Sequence, residues 1–148
     1  NVIEERLSRL DIEIELRPEL TGKTSQFGSL EELISLSKSV VSCKPCMDFS
    51  HLYARTGLVN SYEGFCETLE TLKEELGPNA LKEMHIHISG ISSNSKGDLK
   101  HLDLKKSQFN WKDLMKALKD KDCRGYVICN SPNLEVDAGM LKEYYMAL

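Results

Sequence analysis

Segments with strand-like patterning alternate with segments of helical patterning along the 148 residues, an order that predicts an α/β fold whose strands pair in parallel. Three stretches carry the expectation. DIEIELRPEL sets Ile12, Ile14 and Leu16 against Glu13, Glu15 and Arg17 at a period of two, the mark of a strand with one apolar and one polar face. Tyr62, Phe65, Leu69, Leu72 and Leu76 recur at helical spacing. GYVICNS is a short, largely apolar run suited to a strand covered on both faces.

The elements follow in order. NVIEERLSRL reads as a helix, and a chain that starts on Asn inside a helix is expected to be a processed or truncated piece of something longer. DIEIELRPEL is the first strand and ends at Pro18 and Glu19. Ser29 and Glu32 then form a capping box, the hydroxyl and the carboxylate each satisfying an amide at a helix start, and that helix runs to about Val40. CMDF is a short strand that gives way to a glycine-containing loop bearing His51. The Tyr62 helix stops at Gly77 and Pro78. MHIHISGI is the third strand, followed by a polar connection that holds Asp98 and His101. Asn110, with Asp113 three residues on, opens the helix NWKDLMKALKD. The strand GYVICNS and the helix NLEVDAGMLKEYYMAL complete four rounds of strand and helix without a linker, so a single domain over 1–148 is expected.

Composition narrows the function classes. A hydrophobic fraction of 41% is enough for one core, and 19 Lys and Arg against 23 Asp and Glu argue against a broad basic surface for nucleic acid, leaving room for a local strip. No run approaches the roughly 20 apolar residues of a membrane span, and no signal-peptide pattern opens the chain, so a cytoplasmic protein with no membrane partner is expected. Five cysteines do not suggest a disulfide framework; Cys43 and Cys46 form a C-x-x-C, but no second pair follows, and buried reduced thiols are the expectation. The glycine fingerprint of dinucleotide folds is missing after every strand.

Ligand sites of parallel α/β folds lie beyond the carboxyl ends of the strands. The residues there are Glu19, Asp48 with His51, His87, and Asn130. Asp48 alone would be a turn former. Together, Glu, Asp and His at successive strand ends form a donor set for zinc or manganese. His85, deeper in its strand, reads as an ordinary strand histidine, and Asp98 and His101 as residues of a solvated loop.

RPELTGKTSQFGSLEEL, CMDFSHLYARTG, HIHISGI and VICNSPNLEVD together resemble the later half of an endonuclease IV-type protein, especially of the archaeal branch, within the xylose isomerase-like TIM barrels. The resemblance spans the chain from about Ile12 to its end. It implies parallel (β/α) units forming strands five to eight of a TIM barrel, three zinc ions, with manganese or magnesium as alternatives, and hydrolysis of DNA on the 5′ side of an abasic site. It makes Glu19 the catalytic, metal-bridging glutamate, Asp48 a metal ligand, His51 a ligand of the third zinc, and His87 the seventh-strand ligand, with His85, two residues earlier, as the alternative in register. Asp98 resembles the remaining third-zinc aspartate, and His101 lies near its histidine partner, for which Lys100 is the closer aligned position. Asn130 stands where the family has a glutamate ligand and so marks a possible lost ligand. The resemblance also leaves the early strands to a missing N-terminal half or a second copy of the chain. The alternatives are a sugar isomerase or epimerase-like barrel with one metal, and a degenerate, non-catalytic barrel fragment.

Overall fold

The computed structural model describes residues 2–10 and 14–148, so Ile12 and Glu13 of the first expected strand lie outside the described residues. Beyond them the segment runs parallel to residues 42–46: Leu16 N donates to Ser42 O, Lys44 N to Leu16 O, Cys46 N to Pro18 O and Leu20 N to Cys46 O, at 2.7, 2.9, 2.8 and 3.0 Å. In this alternating ladder residue 18 would donate to the Lys44 carbonyl, and proline has no N–H to give. The expected strand is therefore reduced to two isolated bridges, Leu16 with Cys43 and Glu19 with Cys46, and Ile14 on its apolar side is 51% exposed.

The regular elements are α1 (Val2–Arg9), α2 (Leu30–Ser39), β1 (Cys46–Asp48), α3 (Phe49–Thr56), α4 (Tyr62–Leu76), β2 (Met84–Ile88), β3 (Gly90–Asn94), β4 (Gly97–Leu102), α5 (Trp111–Asp120), β5 (Gly125–Cys129) and α6 (Glu135–Ala147). The sheet order is β1-β2-β5, every pair parallel, and the bridged segment lies on the far side of β1. Sequence order and spatial order thus agree, as expected for repeated β/α units.

Caps written in the sequence set the helix starts. Ser29 and Glu32 form the capping box of α2, and Asn110 accepts from the Asp113 amide at the start of α5. Two elements differ from expectation. The residues expected as a loop after β1 are α3: Asp48 is its N-cap, and Gly57, at φ 67°, closes it in the left-handed region that glycine tolerates. The polar connection bearing Asp98 and His101 is the antiparallel hairpin β3–β4. A Cβ at Gly90 would collide with the Leu102 and Asp103 carbonyls, so the hairpin closes only with glycine there. Ser50 ties α3 to this region, its buried Oγ donating to Ser89 O and accepting from Ser89 N, both at 2.8 Å.

Alternation sorts the two sheet faces. Met84, Ile86 and Ile88 are buried while His85 and His87 are partly exposed. The buried set joins Met47, Leu33 of α2, Phe65, Leu69 and Leu72 of α4, and Leu114, Ala117 and Leu118 of α5 in one core under the helices. Strand β5 corrects the expectation of a strand covered on both faces: Tyr126, Val127 and Ile128 are 75%, 46% and 40% exposed, because Tyr126 and Ile128 share the open face with His85 and His87 and β5 ends the sheet, with no strand on its outer side among the described residues. No helix among the described residues is long and apolar enough to cross a membrane.

Asp137, fully enclosed at the start of α6, clamps the C-terminal unit to the hairpin. It accepts from Leu104 N at 2.8 Å, from Asn133 Nδ2 at 3.3 Å and from Ser131 Oγ. Burial pushes its carboxyl up, but the bonds from Ser131, Leu104 and Asn133 outweigh it and hold the group below the usual aspartate range. Asp137→Ala strands the Leu104 amide and is expected to cost about 1–3 kcal/mol in urea unfolding. In the native protein this contribution is present in full above the unfolded aspartate value of about 3.9 and disappears as pH falls through the lower folded value. The variant should accordingly lose less stability than the native protein over that acid range; parallel acid curves would refute the clamp.

Candidate metal centre

Parallel pairing of β1 with β2 sets Cys46 beside His85 and Asp48 beside His87, and all four project from the sheet face opposite the helix core. The bridge to Cys46 adds Glu19 from the first segment, and pairing with β5 adds Tyr126, Ile128 and, just past the strand, Asn130. The chain turns into α3 directly after Asp48, so His51 in its first turn folds back over the same strand end.

Asp48 is fully buried. Its Oδ1 accepts from His51 N at 2.8 Å as the cap, whereas its buried Oδ2 has no hydrogen-bond partner among the described residues. His51 Nδ1 is 3.5 Å from that oxygen. Burial, despite the nearby His51, pushes the Asp48 carboxyl above the ordinary aspartate range. A buried carboxylate oxygen with nothing to accept is poorly solvated as it stands and well suited to a cation.

The two loop-side histidines form a more specific arrangement. His51 Nδ1 is 3.0 Å from Leu20 O, and His101 Nδ1 is 3.1 Å from Asn130 O. A carbonyl only accepts, so each Nδ1 carries the ring proton and each Nε2 holds a lone pair. Those two Nε2 atoms face one another at 3.3 Å. Two lone pairs at that distance repel unless a proton or a cation lies between them, and nitrogens bound at about 2.0–2.1 Å to one tetrahedral zinc stand roughly 3.3 Å apart. Anchoring the far nitrogen of a histidine to a carbonyl is also how metal-binding imidazoles are held in tautomer and orientation.

Glu19 lies between this pair and His87: its Oε1 is 3.7 Å from His51 Nδ1 and 3.0 Å from His87 Nδ1. His87 Nδ1 is also 3.1 Å from Asn130 Nδ2. The Glu19 oxygen and the His87 ring nitrogen, 3.0 Å apart, are a pair of donors that one divalent ion could take together. Glu19, Asp48 and His51 offer donor atoms within 4.8 Å of one another. The donor set therefore fits a divalent metal.

The structure thus brings Glu19, Asp48, His51, His87, His101 and Asn130 together. Asp98 belongs to neither group of convergent donors: its carboxylate packs on Gly22, where a Cβ would stand 2.5 Å from Oδ1. A second group, Cys46, His85 and His87, also has donors within 4.8 Å. Sequence reasoning takes Cys46 as a buried reduced thiol and His85 as an ordinary strand histidine or the alternative to His87 as the seventh-strand ligand. The pairing register groups them, and from the sequence alone that register is visible only by aligning CMD with HIH. None of the five cysteines is in a disulfide. Burial, with Glu19 and Asp48 adding to it, pushes the Cys46 thiol up to about 12, and burial with His87 beside it lowers His85.

A parallel sheet whose strand ends gather carboxylates and imidazoles places the chain among metal-compatible (β/α) proteins, and the comparison is more definite: the chain belongs to the xylose isomerase-like TIM barrel family, whose profile matches residues 3–144. It is 47% identical over 145 residues to a Methanocaldococcus jannaschii protein described as "Uncharacterized protein MJ0133", covering 97% of this chain and 53% of that one. The solved structure described as "The crystal structure of AsfvAP:AG" superposes with a TM-score of 0.61 at 13% identity, over 97% of this chain and 57% of that chain, a likeness of fold. The chain spans about half the length of these proteins.

Asp48 gives the first test of the centre. Asn caps a helix as well as Asp does and removes the buried charge. Asp48→Asn is expected to leave the Tm of the metal-free protein unchanged or raised and to weaken zinc binding about tenfold or more, as read by thermal melting and isothermal titration. Lower Tm with unchanged zinc affinity would make Asp48 a helix cap and nothing else.

Proposed function

We propose that the chain is the later half of a (β/α)8 barrel, strands five to eight, and that the completed barrel is an endonuclease IV-like phosphodiesterase cleaving DNA 5′ of abasic sites. The observation that carries the reading is the facing pair of Nε2 lone pairs on His51 and His101, 3.3 Å apart beside Glu19, Asp48 and His87. Such a mixed nitrogen and oxygen set suits zinc, with manganese or magnesium as alternatives. Divalent ions, when bound, neutralise charge that builds on a phosphate and acidify a nucleophilic water.

The roles of the protein's own groups follow from their placement. Glu19 reaches toward both His51 and His87, so one carboxylate serves both donor sets, as a bridging ligand must. Asp48 supplies a buried negative charge, and the Leu20 and Asn130 carbonyls fix the ring planes of His51 and His101. The resemblance assigns Asp98 to the third zinc, a role that would require its carboxylate to leave Gly22.

The half-barrel reading draws support from the exposed edge of β5, from an apolar groove of about 250 Å³ between β5, α5 and α6, and from relatives about twice as long. An uncovered apolar edge is a surface that proteins cover. A missing N-terminal half, or a second copy of the chain, would supply the cover and the remaining ligands. A sugar isomerase or epimerase on the same barrel is the second reading; it needs one metal, and the facing Nε2 atoms of His51 and His101, a further donor position beside Glu19, Asp48 and His87, favour the nuclease.

Asn130 tests the assignment. Its amide offers a dication only a neutral dipole, whereas glutamate would add a charge. In the intact protein, Asn130→Glu is expected to raise zinc affinity about tenfold or more and to raise cleavage of abasic-site DNA without cleavage of intact DNA. A folded variant that gains neither metal nor activity would refute the lost-ligand reading and favour a degenerate barrel.

A further inference from the structure

Two side chains on the deeper row of the sheet face, Cys46 and His85, have no role in the reading above, and both lie beside His87 of the outer centre. Cys46 and His85 are direct partners across the β1–β2 pair, and His87 follows His85 on the same face. The imidazoles of His85 and His87 meet edge to face, with centroids 5.3 Å apart and planes at 66°. One donor atom from each of Cys46, His85 and His87 lies within 4.8 Å of the others. Among the described residues no hydrogen bond engages the Cys46 thiol or either nitrogen of His85.

We propose that Cys46, His85 and His87 form a second metal site, one row deeper in the sheet than Glu19 and Asp48, that takes a soft or borderline cation such as zinc. Its chemistry separates it from the outer centre. One sulfur and two imidazole nitrogens are the donors that soft and borderline ions prefer, while carboxylates and imidazoles define the outer set. Three protein donors leave a tetrahedral ion one open position. Tetrahedral zinc with Zn–N of about 2.0–2.1 Å and Zn–S of about 2.3 Å holds its donors roughly 3.3–3.6 Å apart, so closing the present 4.8 Å limit asks for about an ångström of side-chain movement. Partial exposure of His85 and His87 leaves room for that movement, and strand pairing fixes the three Cα positions while it occurs.

Binding replaces the thiol proton: the Cys46 S–H bond is lost, the proton goes to solvent, and the thiolate donates to the ion. His87 is common to both donor sets, so ions at the two positions compete for it or share its two ring nitrogens. The site does not depend on the phosphodiesterase reading and would remain if the barrel acted on another substrate.

Cobalt(II) reports on such a site because a cobalt–thiolate bond gives a charge-transfer band in the near ultraviolet that oxygen and nitrogen ligands do not. Titrating the intact, metal-free, reduced protein with cobalt(II) should produce that band with one equivalent. Cys46→Ser should abolish it, His85→Ala should weaken cobalt affinity at the band-producing site at least about tenfold, and Glu19→Gln should keep it. Cobalt binding without a sulfur band in the native protein overturns the proposal. So does a band that survives Cys46→Ser, since another cysteine would then be its source. If Cys46→Ser does not fold, His85→Ala decides, because this partly exposed side chain lies outside the helix core: an unchanged affinity and band refute the site. Loss of abasic-site cleavage in Glu19→Gln with the band intact separates this site from the outer centre.

Discussion

The parallel register of β1 on β2 is the constraint on which the rest of the molecule depends. It sets Asp48 against His87 and Cys46 against His85, and by the same stroke turns Met47 and Ile86 toward the helices. A slip of one residue would put the imidazoles into the core and the core residues into the site. Burial under α2, α4 and α5 opposes that slip with every apolar side chain it encloses. The hydrophobic effect, acting on one face, thereby holds polar donors in place on the other.

Asp48 extends that control beyond the sheet. Its backbone ends β1, its Oδ1 starts α3, and its Oδ2 is left among the imidazoles. A single residue therefore converts strand register into the position of His51, and the Ser50–Ser89 bonds lock α3 to the hairpin that delivers His101. The facing nitrogens are the product of three elements distant in sequence, each located by backbone hydrogen bonding rather than by the histidines themselves.

Much of this was legible in the sequence, unevenly and for physical reasons. Helix starts at Ser29 and Asn110 and the stop at Gly77–Pro78 were readable because caps and breakers act through local chemistry. MHIHI was readable because burial on one face enforces a period of two. Helix α3 was missed although Asp48 and Gly57 bracket it, since it spans eight residues and its apolar Phe49 and Leu52 continue the preceding run. The β3–β4 hairpin, ISSNSKGDLKHL, has Ile91 as its one β-branched residue and no Phe, Tyr or Trp, so it lacks the run that marks a strand, and it is held by non-local packing on α3. GYVIC was read as covered because composition reports apolarity and says nothing of which neighbours are present. Convergence of Glu19, Asp48, His51 and His87 was foreseeable from strand-end placement, whereas the Cys46–His85 neighbourhood required the register.

The alternation in MHIHI also divides the molecule into parts that can change independently. Met84, Ile86 and Ile88 answer to the helices, and altering them disturbs the whole packed layer. His85 answers to the open face alone, so replacing it leaves every helix contact intact. The chemistry of the open face can accordingly be rewritten while the scaffold under the helices is kept. One strand thus carries two separable contracts, one with the packed layer and one with whatever occupies the open face.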